Sequence, residues 1–157
     1  MPNAPVKPLI RKAIRDDLPA IIGLFASDAL GGHGDTTAPD AFDDYLAAFE
    51  RIEASAHERL YVAVLDDSVV GTFQTAILTT LSGRGSSSMI LEAVQTRSDM
   101  RGRGIGAAMV AFATEEARRR GMSKLFLTSN KVRTDAHRFY ERLGFEPSHF
   151  GFRLRLK

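Results

Sequence analysis

The residues best suited to chemistry lie in Arg101-Gly102-Arg103-Gly104-Ile105-Gly106. Three glycines fall within five positions, between an apolar strand-like run and a long helix-like one. Glycine lets the backbone approach a ligand closely and take a positive φ. Unpaired amides at a helix start, and the positive end of its dipole, attract an anion. Arg101 and Arg103 add formal charge, so an anion-binding turn is expected here. The nucleotide pattern G-x-x-x-x-G-K-[ST] is absent. Gly102 through Ala107 fits the looser G-x-G-x-x-A dinucleotide form. That reading wants an acid at the end of the next strand, and Leu127-Thr128-Ser129-Asn130 offers none.

Other chemistries find little support. There are no cysteines, which excludes disulfides, a thiolate nucleophile and a cysteine zinc site. His33, His57, His137 and His149 have no ligand spacing, so no metal is expected. No G-x-S-x-G supports a serine hydrolase. Arg118-Arg119-Arg120 reads as the solvated end of a helix. With no tryptophan and no interleaved aromatics, a nucleic-acid surface is not expected.

The elements that must position the turn follow from periodicity. Residues 9–14 read as a strand. Asp16 then suits a helix N-cap, with Leu18, Ile21, Ile22 and Phe25 on one face. Gly31-Gly32-His33-Gly34-Asp35-Thr36-Thr37 is a loop, and a second helix over 39–54 buries Phe42, Tyr45, Leu46 and Phe49. Residues 60–65 and 69–78 form a hairpin about Asp66-Asp67-Ser68. A connector over 83–88 leads to a long strand, 89–96. The helix opened by the glycine turn runs to about Arg120, burying Ile105, Met109, Phe112, Ala113 and Ala117, and Gly121 ends it. A strand over 124–129, with a buried Leu125-Phe126-Leu127 run, precedes a helix capped by Thr134. That helix turns Ala136, Phe139, Tyr140 and Leu143 inward and stops at Gly144. Phe150, Phe152, Leu154 and Leu156 alternate with Gly151, Arg153 and Arg155, a final half-exposed strand. The fold class is α/β (mixed α+β): a mostly antiparallel sheet with one parallel βαβ crossover and helices on both faces.

The 157 residues, 44% hydrophobic and 25% charged, suit one domain over 1–157 and rule out disorder. No apolar run is long enough to span a membrane. Met1-Pro2-Asn3-Ala4-Pro5 lacks a hydrophobic signal core, and a cytoplasmic protein is expected. The formal net charge of +2 hides a split. Residues 1–100 hold 8 Lys+Arg against 14 Asp+Glu, and residues 101–157 hold 13 against 5. Such asymmetry points to an anionic partner on the basic side.

Arg101-x-x-Gly104-x-Gly106 between strand and helix resembles the [Q/R]-x-x-G-x-[G/A] acetyl-CoA motif of GCN5-related N-acetyltransferases (GNAT). Downstream, Tyr140-Glu141-Arg142-Leu143-Gly144-Phe145 resembles the family's Y-x-x-x-G-F helix and turn, and the order of elements resembles it from about Leu9 to Leu156. The resemblance implies an acetyl-CoA-dependent transferase that moves an acetyl group to the primary amine of a small molecule. A non-catalytic acyl-CoA sensor, or a transferase acting on protein amines, is the alternative.

The resemblance also implies roles. The CoA pyrophosphate would lie on the amides of Gly102, Arg103, Gly104, Ile105, Gly106 and Ala107, flanked by Arg101. The pantetheine arm would pair like an extra strand with Val94, Gln95 and Thr96, which requires that strand to splay from its parallel neighbour. A backbone N–H there would steady the oxyanion. Tyr140 stands where the family often has its general acid. Asn130 could bind the CoA arm. Arg133 stands where the family often has asparagine, and either reaches CoA phosphate or is solvated. His137 packs or binds near the cofactor. Glu92 is the first choice for the base or amine-binding group, and His33 the second, with an exposed or salt-bridged Glu92 and a surface histidine as the ordinary readings. The family builds its acceptor pocket from segments such as 25–50 and 80–88, and many members form homodimers. The sign change at Arg101 coincides with the cofactor half, and the acidic half suits a cationic amine.

Overall fold

The computed structural model describes residues 4–31 and 33–157. Met1, Pro2 and Asn3 of the N-terminal segment, and Gly32 of the glycine loop, lie outside the described residues. Among the described residues, five strands form one sheet in the order β1-β2-β3-β4-β5: β1 (Leu9–Lys12), β2 (Glu58–Leu65), β3 (Ser68–Thr79), β4 (Ser87–Thr96) and β5 (Lys124–Phe126). The first three junctions are antiparallel, and β4 pairs with β5 in parallel. The helices are α1 (Leu18–Ala26), α2 (Phe42–Ala54), the single turn α3 (Ser82–Gly85), α4 (Ile105–Arg119) and α5 (Thr134–Arg142).

Alternation along β2 divides the core. Val62, with Leu60 and Val64 beside it, faces α1 and α2, where Leu18, Ile21, Ile22 and Phe49 are buried. Tyr61 and Ala63 face the other way, onto Phe73, Leu91, Ile105, Met109 and Ala113. Tyr61 stacks on Phe73 at 4.9 Å, with the edge of Phe112 against both rings. The β2–β3 hairpin turns through Asp66 and Asp67, whose φ values of 49° and 60° match the twist of a two-residue turn.

Several expectations are corrected. Asp17, rather than Asp16, secures the entry to α1. Its carboxylate accepts the Ile14 amide at 2.8 Å and two Arg11 guanidinium bonds at 2.7 and 3.0 Å. Val110 is buried on α4 where Phe112 is only half-buried. Thr134 is the first residue of α5, and Arg133 occupies the cap position. Leu143 is exposed because α5 packs through Phe139 and Tyr140 instead. The Leu125-Phe126-Leu127 run is half-buried, since β5 has β4 on one side only and ends at Phe126. The expected last strand is absent. Residues 150–156 are extended without a ladder partner, and Phe150, Phe152, Leu154 and Leu156 are 84–95% exposed.

Candidate functional site

The site grows from the place where β4 and β5 part. Their ladder joins Ser88, Met89 and Ile90 to Lys124, Leu125 and Phe126 and goes no further, while β4 continues to Thr96. Two residues later β4 bulges. Thr72 pairs with Gln95 and Gln74 with Glu92, so Ala93 and Val94 together oppose Phe73 alone. Ala93 takes the left-handed φ of 51°, a conformation costly for a residue with a Cβ. Beyond the bulge, Gln95 and Thr96 stay registered with β3 on one edge. On the other edge, among the described residues, no strand pairs with them.

The chain then enters the glycine turn. Gly102 and Gly104 have φ values of 74° and 84°, and Gly104 is the N-cap of α4. The first amide of α4 bonded back into the helix is that of Ala108, to the Gly104 carbonyl at 3.0 Å. By helix geometry the amides of Ile105, Gly106 and Ala107 have no intrahelical acceptor. The Arg103 carbonyl accepts the Val6 amide at 3.0 Å, which straps the N-terminal segment to the turn. Arg103 Nη1 reaches Met100 Sδ at 3.3 Å, and its buried Nε has no protein partner. Backbone donors, an orphaned guanidinium nitrogen and an unpaired strand edge together fit a long, phosphorylated, strand-like group such as the expected acetyl-CoA.

α5 closes over the turn because residue 106 is glycine. A Cβ there would stand 3.1 Å from Phe139 Cζ. Tyr140, next to Phe139, is half-buried and packs edge-on against Phe139 and Phe145. Burial pushes its phenol above the ordinary value. The Arg133 charge works against this, and the Glu92 charge adds to it. Glu92 is exposed, and its charge is felt at Tyr140.

The segment after β5 and the first turn of α5 gather three of the expected cofactor residues. Asn130 accepts the Val132 amide at its side chain, at 3.1 Å, and the Arg133 amide at its carbonyl, at 2.9 Å. His137 Nε2 lies 2.9 Å from that same carbonyl oxygen. Arg133 reaches back across the molecule to Asp28, with Nη2–Oδ2 at 2.7 Å and Nη1–Oδ1 at 3.3 Å. Gln95 of β4 donates to the same carboxylate at 2.9 Å. Burial raises the Asp28 carboxyl, but bonds from Arg133, Gln95 and the Leu30 amide outweigh it and hold the group below its ordinary value. Asp28 therefore ties the end of the α1 segment to both walls of the opening.

Sequence reasoning missed Asp28. It is 105 residues from Arg133 in the chain, and neither periodicity nor motif marks it. The only available signal was its place in the segment expected to meet the acceptor. That segment builds a mostly apolar hollow of about 400 Å³ between α1 and α2, lined by Ile22, Thr37, Pro39, Phe42 and Tyr45 among others. Tyr45 donates to Asp35 at 2.8 Å and accepts the Thr36 amide at 3.2 Å, which fixes the loop above it. His33 is exposed, and among the described residues it forms no hydrogen bond or ion pair with Tyr140, Glu92 or the glycine turn.

Known proteins are similar to this chain in sequence and in fold. The model of the acetyltransferase (GNAT) family matches residues 19–145. The aminoalkylphosphonate N-acetyltransferase of Salmonella typhimurium is 38% identical over 112 residues, covering 71% of this chain and 70% of that protein. A crystal structure described as a transcriptional regulator from Bacillus halodurans superposes with a TM-score of 0.91 at 36% identity, over 95% of this chain and 99% of that one. An acetyltransferase from Trypanosoma brucei follows with a TM-score of 0.76 at 25% identity, over 94% and 99%. The chain belongs to the acetyltransferase (GNAT) family and is an N-acetyltransferase with acetyl-CoA as its co-substrate.

Proposed function

We propose that this chain, as a single domain over 1–157, acetylates the primary amine of a small molecule in the cytoplasm. Neither nucleic acid nor a membrane is part of the reading, and no helix among the described residues is long and apolar enough to cross a membrane. Bound acetyl-CoA supplies a thioester carbonyl for the amine to attack and a thiolate leaving group. The opening between β4 and β5, leading into the glycine turn, carries the proposal.

Val94, Gln95 and Thr96 offer the pantetheine arm a strand edge. The amides of residues 102–107, with Arg101 and Arg103, take the pyrophosphate. Asn130 and His137 line the arm from the other wall. Arg133 is engaged by Asp28, so it orders that wall rather than standing free. Tyr140 protonates the departing thiolate. A thiol has a pKa of about 8.5 and a phenol about 10. The raised phenol of Tyr140 remains protonated at neutral pH and so retains the proton to give. Glu92, exposed within reach of water, accepts the ammonium proton or holds the amine.

The similarity to the Salmonella enzyme favours an aminoalkylphosphonate as the acceptor. The acidic first hundred residues and the exposed Glu92 favour a cationic amine instead. Thiol release from acetyl-CoA, measured across aminoalkylphosphonates, polyamines, amino acids, aminoglycosides and lysine peptides, separates these. Turnover with a phosphonate supports the first, and turnover confined to polyamines supports the second. Turnover confined to peptides overturns the small-molecule reading. CoA binding with no turnover on any amine marks a sensor.

A further inference from the structure

The ion pair between Asp28 and Arg133 lies where the reaction is proposed to take place. Its side chains are only 9% and 23% exposed. Taking two charges out of water is costly, so such a pair is weak evidence of a purely stabilising role. Its surroundings point to another use. Gln95, which donates to the same carboxylate, stands on the part of β4 that β5 has left. Arg133 caps α5 seven residues before Tyr140. Tyr140 feels the charges of both Arg133 and Glu92. The pair thus bridges the two walls beside the groups assigned to proton transfer.

The two partners depend on each other unequally. Without Arg133, Asp28 keeps Gln95 Nε2 at 2.9 Å and the Leu30 amide at 3.2 Å. Without Asp28, the Arg133 guanidinium has no other hydrogen-bond acceptor among the described residues. An acceptor that brings only an ammonium draws on Asp28 and leaves a half-desolvated guanidinium unpaired. An acceptor that also carries an anion a few bonds away satisfies both, and adds no net charge to the opening.

We infer that Asp28 and Arg133 open as a clasp for a zwitterionic acceptor. Arg133 turns from the carboxylate to the acceptor's phosphonate or carboxylate, and Asp28 receives its ammonium. The inference rests on the reading of this opening as the place where acetyl-CoA meets a small amine. Glu92 keeps its assigned part and takes the proton that the ammonium sheds. The planar fork of an arginine suits either oxyanion, giving two parallel hydrogen bonds. Discrimination comes as much from rejection, since a simple cation leaves Arg133 without a partner.

Thiol release from acetyl-CoA should be compared for 2-aminoethylphosphonate, β-alanine and ethanolamine. All three carry an ammonium on a two-carbon chain and differ at its far end. At least one of the zwitterions should exceed ethanolamine in kcat/KM by about 10–100-fold, the worth of a charged hydrogen-bonded pair. The better of the two identifies the anion as phosphonate or carboxylate. Arg133→Gln should collapse that ratio towards one. Arg133→Lys, which keeps the charge and loses the fork, should restore part of it. A role confined to ordering the wall would slow all three acceptors alike and leave the ratio unchanged. A thermal shift with CoA shows that each variant is folded. Should Arg133→Gln not fold, the wild-type ratio and Arg133→Lys carry the test. Ethanolamine or spermidine used as well as the zwitterions, or an unchanged ratio in Arg133→Gln, overturns the clasp and leaves the small-amine reading standing. Turnover of lysine peptides alone overturns both.

Discussion

Residues 88–90 and 94–96 belong to the same strand, yet their surroundings differ. Ser88, Met89 and Ile90 pair on both edges, with β3 and with β5, and Met89 is fully buried. Past the Ala93 bulge, Gln95 and Thr96 pair with β3 only. The first part stabilises the sheet, and the second leaves hydrogen-bonding groups for a ligand. One inserted residue and the departure of β5 make the difference. In the proposed reading, the chemistry begins where the ladder stops.

The largest test of that contrast lies on the open side. Tyr140→Phe removes the proposed donor, and kcat should fall by about 10²–10⁴-fold. The CoA Kd and the melting temperature should be nearly unchanged. Steady-state kinetics beside a CoA titration check this, and equal turnover at saturating substrates removes the general-acid role. The closed side should respond in the opposite way. Met89→Ala creates a cavity in a buried ladder and should cost about 2–5 kcal/mol in urea unfolding. The folded fraction should keep its kcat, and a selective loss of kcat would break the division between the two parts.

Gly104→Val tests the turn that follows. A β-branched residue at a φ of 84° is strained by about 1–3 kcal/mol. CoA affinity measured by calorimetry should drop about tenfold. An unchanged affinity would misplace the pyrophosphate. The smallest effect is expected at Asp28→Asn, which weakens the tie across the opening by about 1–2 kcal/mol. Its pH dependence has a definite sign. The folded Asp28 carboxyl is lowered, so its contribution is complete above the unfolded pKa and is lost as pH falls through the folded one. Melting temperature should therefore decline more steeply below about pH 5 in the wild type than in the asparagine variant. Parallel curves would detach Asp28 from stability.

Local chemistry made much of this legible in the sequence. The 3.6-residue spacing of Leu18, Ile21 and Ile22, the apolar runs about the Asp66-Asp67-Ser68 turn, and the glycines at 102, 104 and 121 each act through their own neighbours. What depends on distant partners was not legible. The apolar run Leu125-Phe126-Leu127 suggests a strand reaching residue 129, but a ladder needs a partner that stays alongside, and β5 ends at Phe126. The strand expected over 150–156 had the pattern without the partner. Glu92 and Tyr140 could be named from spacing and resemblance. The opposing charges of Glu92 and Arg133 felt at Tyr140, and the Asp28 carboxylate that holds Arg133, arise only when distant parts of the chain meet. The splay of β4 from β5 was expected from the family resemblance. The left-handed Ala93 that accompanies it carries no signature in an alanine.

Amide hydrogen exchange with and without CoA addresses the contrast within β4 most directly. CoA should slow exchange at residues 94–96 and 102–107, and leave residues 88–90, already held by two ladders, unchanged. Protection that appears at 88–90, or none at 94–96 and 102–107 at saturating CoA, would contradict the account.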